Sequence, residues 1–229
     1  MTIKYIQYFG QRRTGSSWLS RVLRNSCQVE VGEKFGLKHD KDCNFAAGNV
    51  DETLFLFINR DIYMWLDALH KNPWGIEEYR GLSLSEFIRS PWYNKIPDDV
   101  KRWYPECKLG PGTEIKDYSG GLLIPGRFDT PIHMRNAKVD AWTDVKNSVP
   151  HAEDISYVEC IGDLRGYLGK LFNKYDIGYN INAAEGIVSG EKKEYFLTRK
   201  YLDKYSTADL DFIRDNCDVH IEKRIGFVL

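Results

Sequence analysis

Gly10-Gln11-Arg12-Arg13-Thr14-Gly15-Ser16-Ser17 gathers glycines, arginines and hydroxyls into one short stretch. Glycine lets a backbone turn bring its N–H groups inward, and hydroxyl and guanidinium groups add further donors. Residue types in this pattern suit the capture of a phosphate or sulfate. The two glycines have the spacing of the phosphate loop G-x-x-x-x-G-K-[ST], with Ser17 at the hydroxyl position. Ser16 stands where that loop carries lysine, and Arg12 and Arg13 supply the positive charge instead. Nucleoside triphosphate hydrolysis uses the lysine together with a downstream acid on Mg²⁺. Asp61 is the available acid, but Arg60 precedes it and would set a cation beside the metal. The plain alternative is a surface turn with a serine capping the next helix.

Such a turn works only between a strand and a helix, and the flanking residues have those patterns. The run 3–9 is β-branched and aromatic and predicts a strand; 16–26 has helical spacing of Trp18, Leu19, Val22 and Leu23. Further strands are predicted at 34–40, at the continuous apolar run 53–59 and at 155–161. Helices are predicted at 61–71, 132–147, 163–176, 191–205 and 207–216, the last opened by a cap of Ser206 with Asp209. Residues 72–131 mix Trp74, Tyr79, Trp92, Tyr93, Trp103, Tyr104 and Tyr118 with glycine and proline, around one short helix at 84–90. They read as an insertion over one edge of a sheet. Alternating strands and helices predict an α/β fold, a mostly parallel sheet flanked by helices, as one domain over 1–229.

Bulk properties narrow the function classes. A formal net charge of −1 lacks the basic excess of a general nucleic-acid binder. Cys27, Cys43, Cys107, Cys160 and Cys217 are odd in number, widely spaced and form no CxxC, which predicts free thiols and no zinc site. No apolar run reaches the roughly 18 residues of a membrane span. No basic-then-apolar leader is visible at the N-terminus. These features predict a cytoplasmic protein without nucleic-acid or membrane partners.

Arg12–Trp18, RRTGSSW, resembles the 5′-phosphosulfate loop of the sulfotransferases that use 3′-phosphoadenosine-5′-phosphosulfate (PAPS), which commonly reads P-[KR]-[ST]-G-[ST]-[ST]-W. The resemblance implies that Arg13 takes the place of the catalytic lysine or arginine. It implies that Thr14, Gly15, Ser16 and Ser17 bond the 5′-phosphosulfate, and that Trp18 stacks on adenine. Residues 58–74 resemble the second signature, RNPxxxxxS, with Arg60 matching the arginine that holds the 3′-phosphate. Ile62 and Ala68 stand at its proline and serine, and Lys192 and Lys193 are candidates for the partner that the serine would have been. Residues 134–145, 156–171 and 205–227 are similar to later family passages, with the YEDL motif represented only by Val158, Glu159, Cys160 and Ile161. The implied fold is P-loop-like and nucleotide-binding.

The implied chemistry is sulfuryl transfer from PAPS to a hydroxyl or amine, without a metal. Charge that grows on the departing bridge oxygen is met by fixed cations and N–H donors. Arg13 can do so with two parallel bonds from its planar fork, with Arg12 supporting the loop or the 5′-phosphate. The acceptor loses a proton, and His39 in GLKHD stands where the family often has a histidine base, with Asp40 to orient it. Glu77, Glu78 and Asp67 are further candidates. Trp74, Tyr79, Trp92 and Trp103 either line the acceptor side or pack the core. The expected acceptor is a carbohydrate or small molecule. A P-loop kinase or phosphotransferase using ATP, and a non-catalytic nucleotide binder of the same fold, remain as alternatives.

Overall fold

The computed structural model describes residues 2–39, 43–73, 77–93, 127–180 and 190–228. Asp40, Trp74, Trp103, Tyr104 and Tyr118 lie outside the described residues, as do the side chains of Glu77 and Lys192.

Four strands form an all-parallel sheet in the order β2-β1-β3-β6: β1 (Tyr5–Gly10), β2 (Glu30–Gly32), β3 (Thr53–Asn59) and β6 (Ala152–Ser156). β1 and β3 are buried along their whole length because helices cover both faces. Alternate residues face alternate sides. Ile6, Tyr8, Leu54, Leu56 and Ile58 join the larger core with α1 (Ser16–Ser26) and α2 (Ile62–Lys71). Tyr5, Phe9, Phe55 and Phe57 face the other way, onto Trp142 and Val145 of α4 (Pro131–Asn147). The remaining helices among the described residues are α3 (Leu84–Arg89), α5 (Tyr157–Gly162), α6 (Leu164–Lys174), α7 (Gly190–Leu197), α8 (Thr207–Asn216) and α9 (Val219–Arg224). A second, two-stranded antiparallel sheet pairs β4 (Trp92–Tyr93) with β5 (Arg127–Phe128).

Over its described residues, 34–39, the expected strand at 34–40 is not one. β2 ends at Gly32, and 33–39 turn back toward the sheet. Gly36 has φ +146, and the buried Gln7 holds the turn from inside, donating to Gly36 O at 2.8 Å and accepting from Phe35 N at 3.0 Å. Glu33 closes it from outside, its Oε2 accepting from Lys38 N at 2.8 Å. The strand expected at 155–161 lies upstream at Ala152–Ser156, and Tyr157 opens a helix. Ser156 caps that helix by accepting from Glu159 N, and Tyr157, Cys160 and Ile161 are apolar at helical spacing. The helix expected at 191–205 stops at Leu197: Arg199 takes the left-handed conformation at φ 56, and a 3₁₀ turn follows at Lys200–Lys204.

In the segment expected to be an insertion, Tyr79 and Trp92 stack on one another at 5.0 Å and are buried with Phe87 in the main core. Packing accounts for both. Among the described residues, no helix is long and apolar enough to cross a membrane.

Candidate functional site

Three neighbouring strands end together. Gly10 is opposite Ile58, and Asn59 is opposite Ser156, so the segments that follow β1, β3 and β6 share one edge of the sheet. The strand order reverses between β1 and β3, and open α/β sheets bind ligands at such a switch point, outside the carboxyl ends of the strands.

After β1, Thr14 closes a tight turn: its N–H and its Oγ1 both donate to Gln11 O, at 3.1 and 2.7 Å. Arg13 and Gly15 are left-handed, at φ 69 and φ 100. Gly15 is the N-cap of α1 and has no side chain to satisfy the first N–H groups. The helices α2, α3, α4, α5, α6, α8 and α9 are all capped by an Asp, Ser or Thr side chain. α1 instead opens with donors and the positive end of its dipole directed out of the loop, and no acid lies in its first turn.

Arg60 follows β3 and is only 8% exposed. Its Nε donates to Thr14 O at 3.2 Å, so it is tied to the turn itself. The guanidinium lies 3.7 Å from the centre of the Tyr157 ring and 5.2 Å from that of Phe196. Burial pushes its pKa down to about 10; Tyr157 and Asp61 oppose the shift, and Arg13 adds to it. Among the described residues it makes no ion pair with a carboxylate. A buried, unpaired charge is costly, and an anion bound at the turn would offset that cost.

Arg13, half-buried, donates from Nε to Asn72 O at 3.2 Å, and burial lowers its pKa. Among the described residues its two terminal nitrogens make no hydrogen bond. Arg12 is held through its backbone, its carbonyl accepting from Trp65 Nε1 at 2.9 Å. Ser16 is buried, whereas Ser17 is exposed and accepts from Lys38 Nζ at 3.2 Å. Trp18 meets the Tyr157 ring edge-on at 5.4 Å.

His39 stands on the other flank of the loop, on the side of Arg12. Its Nδ1 is 2.6 Å from Gly10 O, so Nδ1 carries the proton and donates, and Nε2 keeps a lone pair. Burial holds its pKa well below the usual histidine value, with Lys138, Arg12 and Lys38 adding repulsion and the Gly10 carbonyl opposing. Lys138 also donates to His39 O. The ring is therefore neutral near pH 7, as a proton acceptor must be.

Asp61 is already engaged, Oδ1 accepting from Met64 N at 2.9 Å and Oδ2 from Tyr201 OH at 3.0 Å. Asp67 accepts from Lys71 and Lys204, each at 2.7 Å, and from Tyr195 OH at 3.0 Å. Two ammonium groups on one carboxylate, Lys71 from the same helix and Lys204 from the 3₁₀ turn, leave this cluster with a net positive charge at the helix that ends beside Asn72, the residue bonded to Arg13. Ala68, in the middle of that helix, offers no hydroxyl.

The structure thus brings Arg12, Arg13, Thr14, Gly15, Ser16, Ser17, Trp18 and Arg60 together, with His39 behind Gly10. Tyr157, Lys71 and Lys204 were not singled out from the sequence. Tyr157 was hidden in an apolar run that reads as a strand, and the two lysines are separated by most of the chain. The chain matches no family model, no curated protein and no solved structure at a significant level.

Proposed function

We propose that the protein is a PAPS-dependent sulfotransferase acting on a hydroxyl, or amine, of a small-molecule or carbohydrate acceptor. The observation that carries this reading is Arg60, a buried guanidinium without a carboxylate ion-pair partner among the described residues, tied to a turn whose helix has no capping side chain. The donor set fits a phosphosulfate: amides of the turn, the hydroxyls of Ser16 and Ser17, and the cations Arg12 and Arg13, while the Thr14 hydroxyl, already donated to Gln11 O at 2.7 Å, holds the turn's shape. Gly10 and Gly15 let the turn pack closely on its neighbours, since a Cβ on Gly10 would lie 2.4 Å from Ile58 Cγ2 and one on Gly15 2.6 Å from the Tyr157 ring. Lys71 and Lys204 supply positive charge for the 3′-phosphate in place of the serine absent at Ala68, and Trp18 offers a face to adenine.

The nucleotide supplies a sulfuryl group that passes to the acceptor, leaving adenosine 3′,5′-bisphosphate. Arg13 and the uncapped amides meet the negative charge that grows on the bridge oxygen as its bond to sulfur breaks. His39 Nε2 takes the acceptor's proton, while the bond from Nδ1 to Gly10 keeps the ring in the required tautomer. Both oxygens of Asp61 are occupied in capping and in the Tyr201 bond, which favours this metal-independent reading over Mg²⁺-dependent ATP chemistry.

Adenosine 3′,5′-bisphosphate is expected to raise the melting temperature without Mg²⁺, and Arg13→Ala to abolish transfer of label from PAPS to an acceptor panel. Stabilisation only by ATP with Mg²⁺ would replace this reading with a kinase. Nucleotide binding without transfer to any acceptor would replace it with a binding protein.

A further inference from the structure

Arg135, in the first half of α4, belongs to none of the motifs around the loop, yet it touches both halves of the site. Its carbonyl accepts from Gln11 Nε2 at 3.0 Å, at the start of the turn. Its Nη2 donates to Arg60 O at 2.8 Å, at the end of β3. Its guanidinium lies 5.8 Å from the ring of Trp65, whose Nε1 holds the Arg12 carbonyl at 2.9 Å. The charge is balanced from the far end of the chain. Glu222 of α9 forms an ion pair with Arg135, and its Oε2 accepts from Nη2 at 3.1 Å. The side chains are 2% and 0% exposed.

The geometry points to Arg135 and Glu222 as positioning residues that fix the spacing between the phosphate turn and the Arg60 peptide, so that α9 controls the anion affinity of a site it does not touch. This rests on the reading of that turn as an anion site. A guanidinium has donors in a planar fork, which lets Arg135 reach Arg60 O and Glu222 together. Without Glu222 its charge would be buried and uncompensated, and the side chain would reorient toward water, releasing Arg60 O. Ordinary core packing of α9 runs through different residues, Ile221 and Ile225 against Val139 of α4.

The test compares Glu222→Gln, Glu222→Asp and Arg135→Lys with Ile225→Val, a packing control on the same helix. Hydrogen exchange of the free protein is read at residues 11–16 and 60–61, and binding of adenosine 3′,5′-bisphosphate by calorimetry, both well below the melting temperatures. Glu222→Gln and Arg135→Lys are expected to speed exchange in those segments roughly tenfold, as a local opening would. Affinity should fall on the order of 10–100-fold, by analogy with metal sites that lose a hydrogen-bond partner of a ligand. Glu222→Asp keeps the charge and should recover much of both. Ile225→Val should lower the melting temperature while leaving the two segments and the affinity at wild-type values. Equal exchange in the charge variants and the packing control would overturn the inference. If wild-type protein binds no nucleotide, the functional reading fails while the exchange comparison still decides the positioning role. A Glu222→Gln protein that does not fold leaves Arg135→Lys to decide it, because the lysine preserves the charge and removes only the fork.

Discussion

Gly15→Ala has a cost that separates into two parts, each traceable to the turn. The first is backbone conformation. Gly15 has φ 100 and ψ 14, and an L-residue in the left-handed region costs about 1–2 kcal/mol. The second is collision. The new Cβ would lie 2.6 Å from Cδ2 and Cε2 of Tyr157, whereas carbons rest at about 3.5–4.0 Å. The ring must therefore retreat by about 1 Å. It is held on several sides, by Arg60 at 3.7 Å, Trp18 at 5.4 Å and Phe196 at 5.6 Å. Overpacking of this kind costs about 1–3 kcal/mol. The two parts add to about 2–5 kcal/mol, or about 4–20 °C at the 2–4 °C per kcal/mol expected for a chain of this length. In a Tyr157→Ala background the collision disappears and only the backbone part remains. A double-mutant cycle by urea unfolding should give a coupling of about 1–3 kcal/mol between the two sites. An equal cost of Gly15→Ala in both backgrounds would show that Tyr157 does not lie on the turn, and the site as described would be wrong.

Two further perturbations probe the flanks. His39 is held below its usual pKa chiefly by burial, with Lys138 next. The acid limb of kcat/KM should therefore lie below pH 6.5, and Lys138→Met should move it upward toward 6.5; a limb unchanged in that variant would count against His39 as the base. Because the folded pKa is the lower one, His39 contributes stability that is complete above pH 6.5 and is lost as pH falls through the folded value. His39→Asn, which can still donate to Gly10 O, should flatten that part of the stability profile. Asp67 is drawn below its usual pKa because hydrogen bonds from Lys204 and Lys71 outweigh a burial effect that would raise it. Its contribution is present above pH 3.8 and is lost as pH falls below. Asp67→Asn should cost about 1–2 kcal/mol at neutral pH, less than a fully buried pair because both lysines are substantially exposed. Urea unfolding at neutral and acid pH should show that difference shrinking on acidification.

What was legible in the sequence is what leaves a local pattern. The apolar run 53–59, the spacing of 16–26 and the Ser206–Asp209 cap each carry their own signal, and these elements stand where they were expected. The turn after Gly32 was missed because its determinant is Gln7, a buried polar residue on another strand that bonds both Phe35 and Gly36. Tyr157 was misread because an apolar run serves a buried strand and a short helix equally well, and only the Ser156 cap decides between them. The site shows the same division. Gly10, Arg13, Gly15 and Arg60 could be picked out by spacing, but spacing could not tell that Arg60 is buried against Thr14 O and, among the described residues, forms no ion pair with an acid. That distinction carries the functional argument, because an exposed arginine needs no ligand and a buried unpaired one does. The support for Arg60 was less legible still. Arg135 and Glu222 are 87 residues apart, in helices whose own patterns are complete without them. A buried ion pair of that separation has no periodicity to betray it, so the part of the site that sets its geometry is the part that only the folded chain reveals.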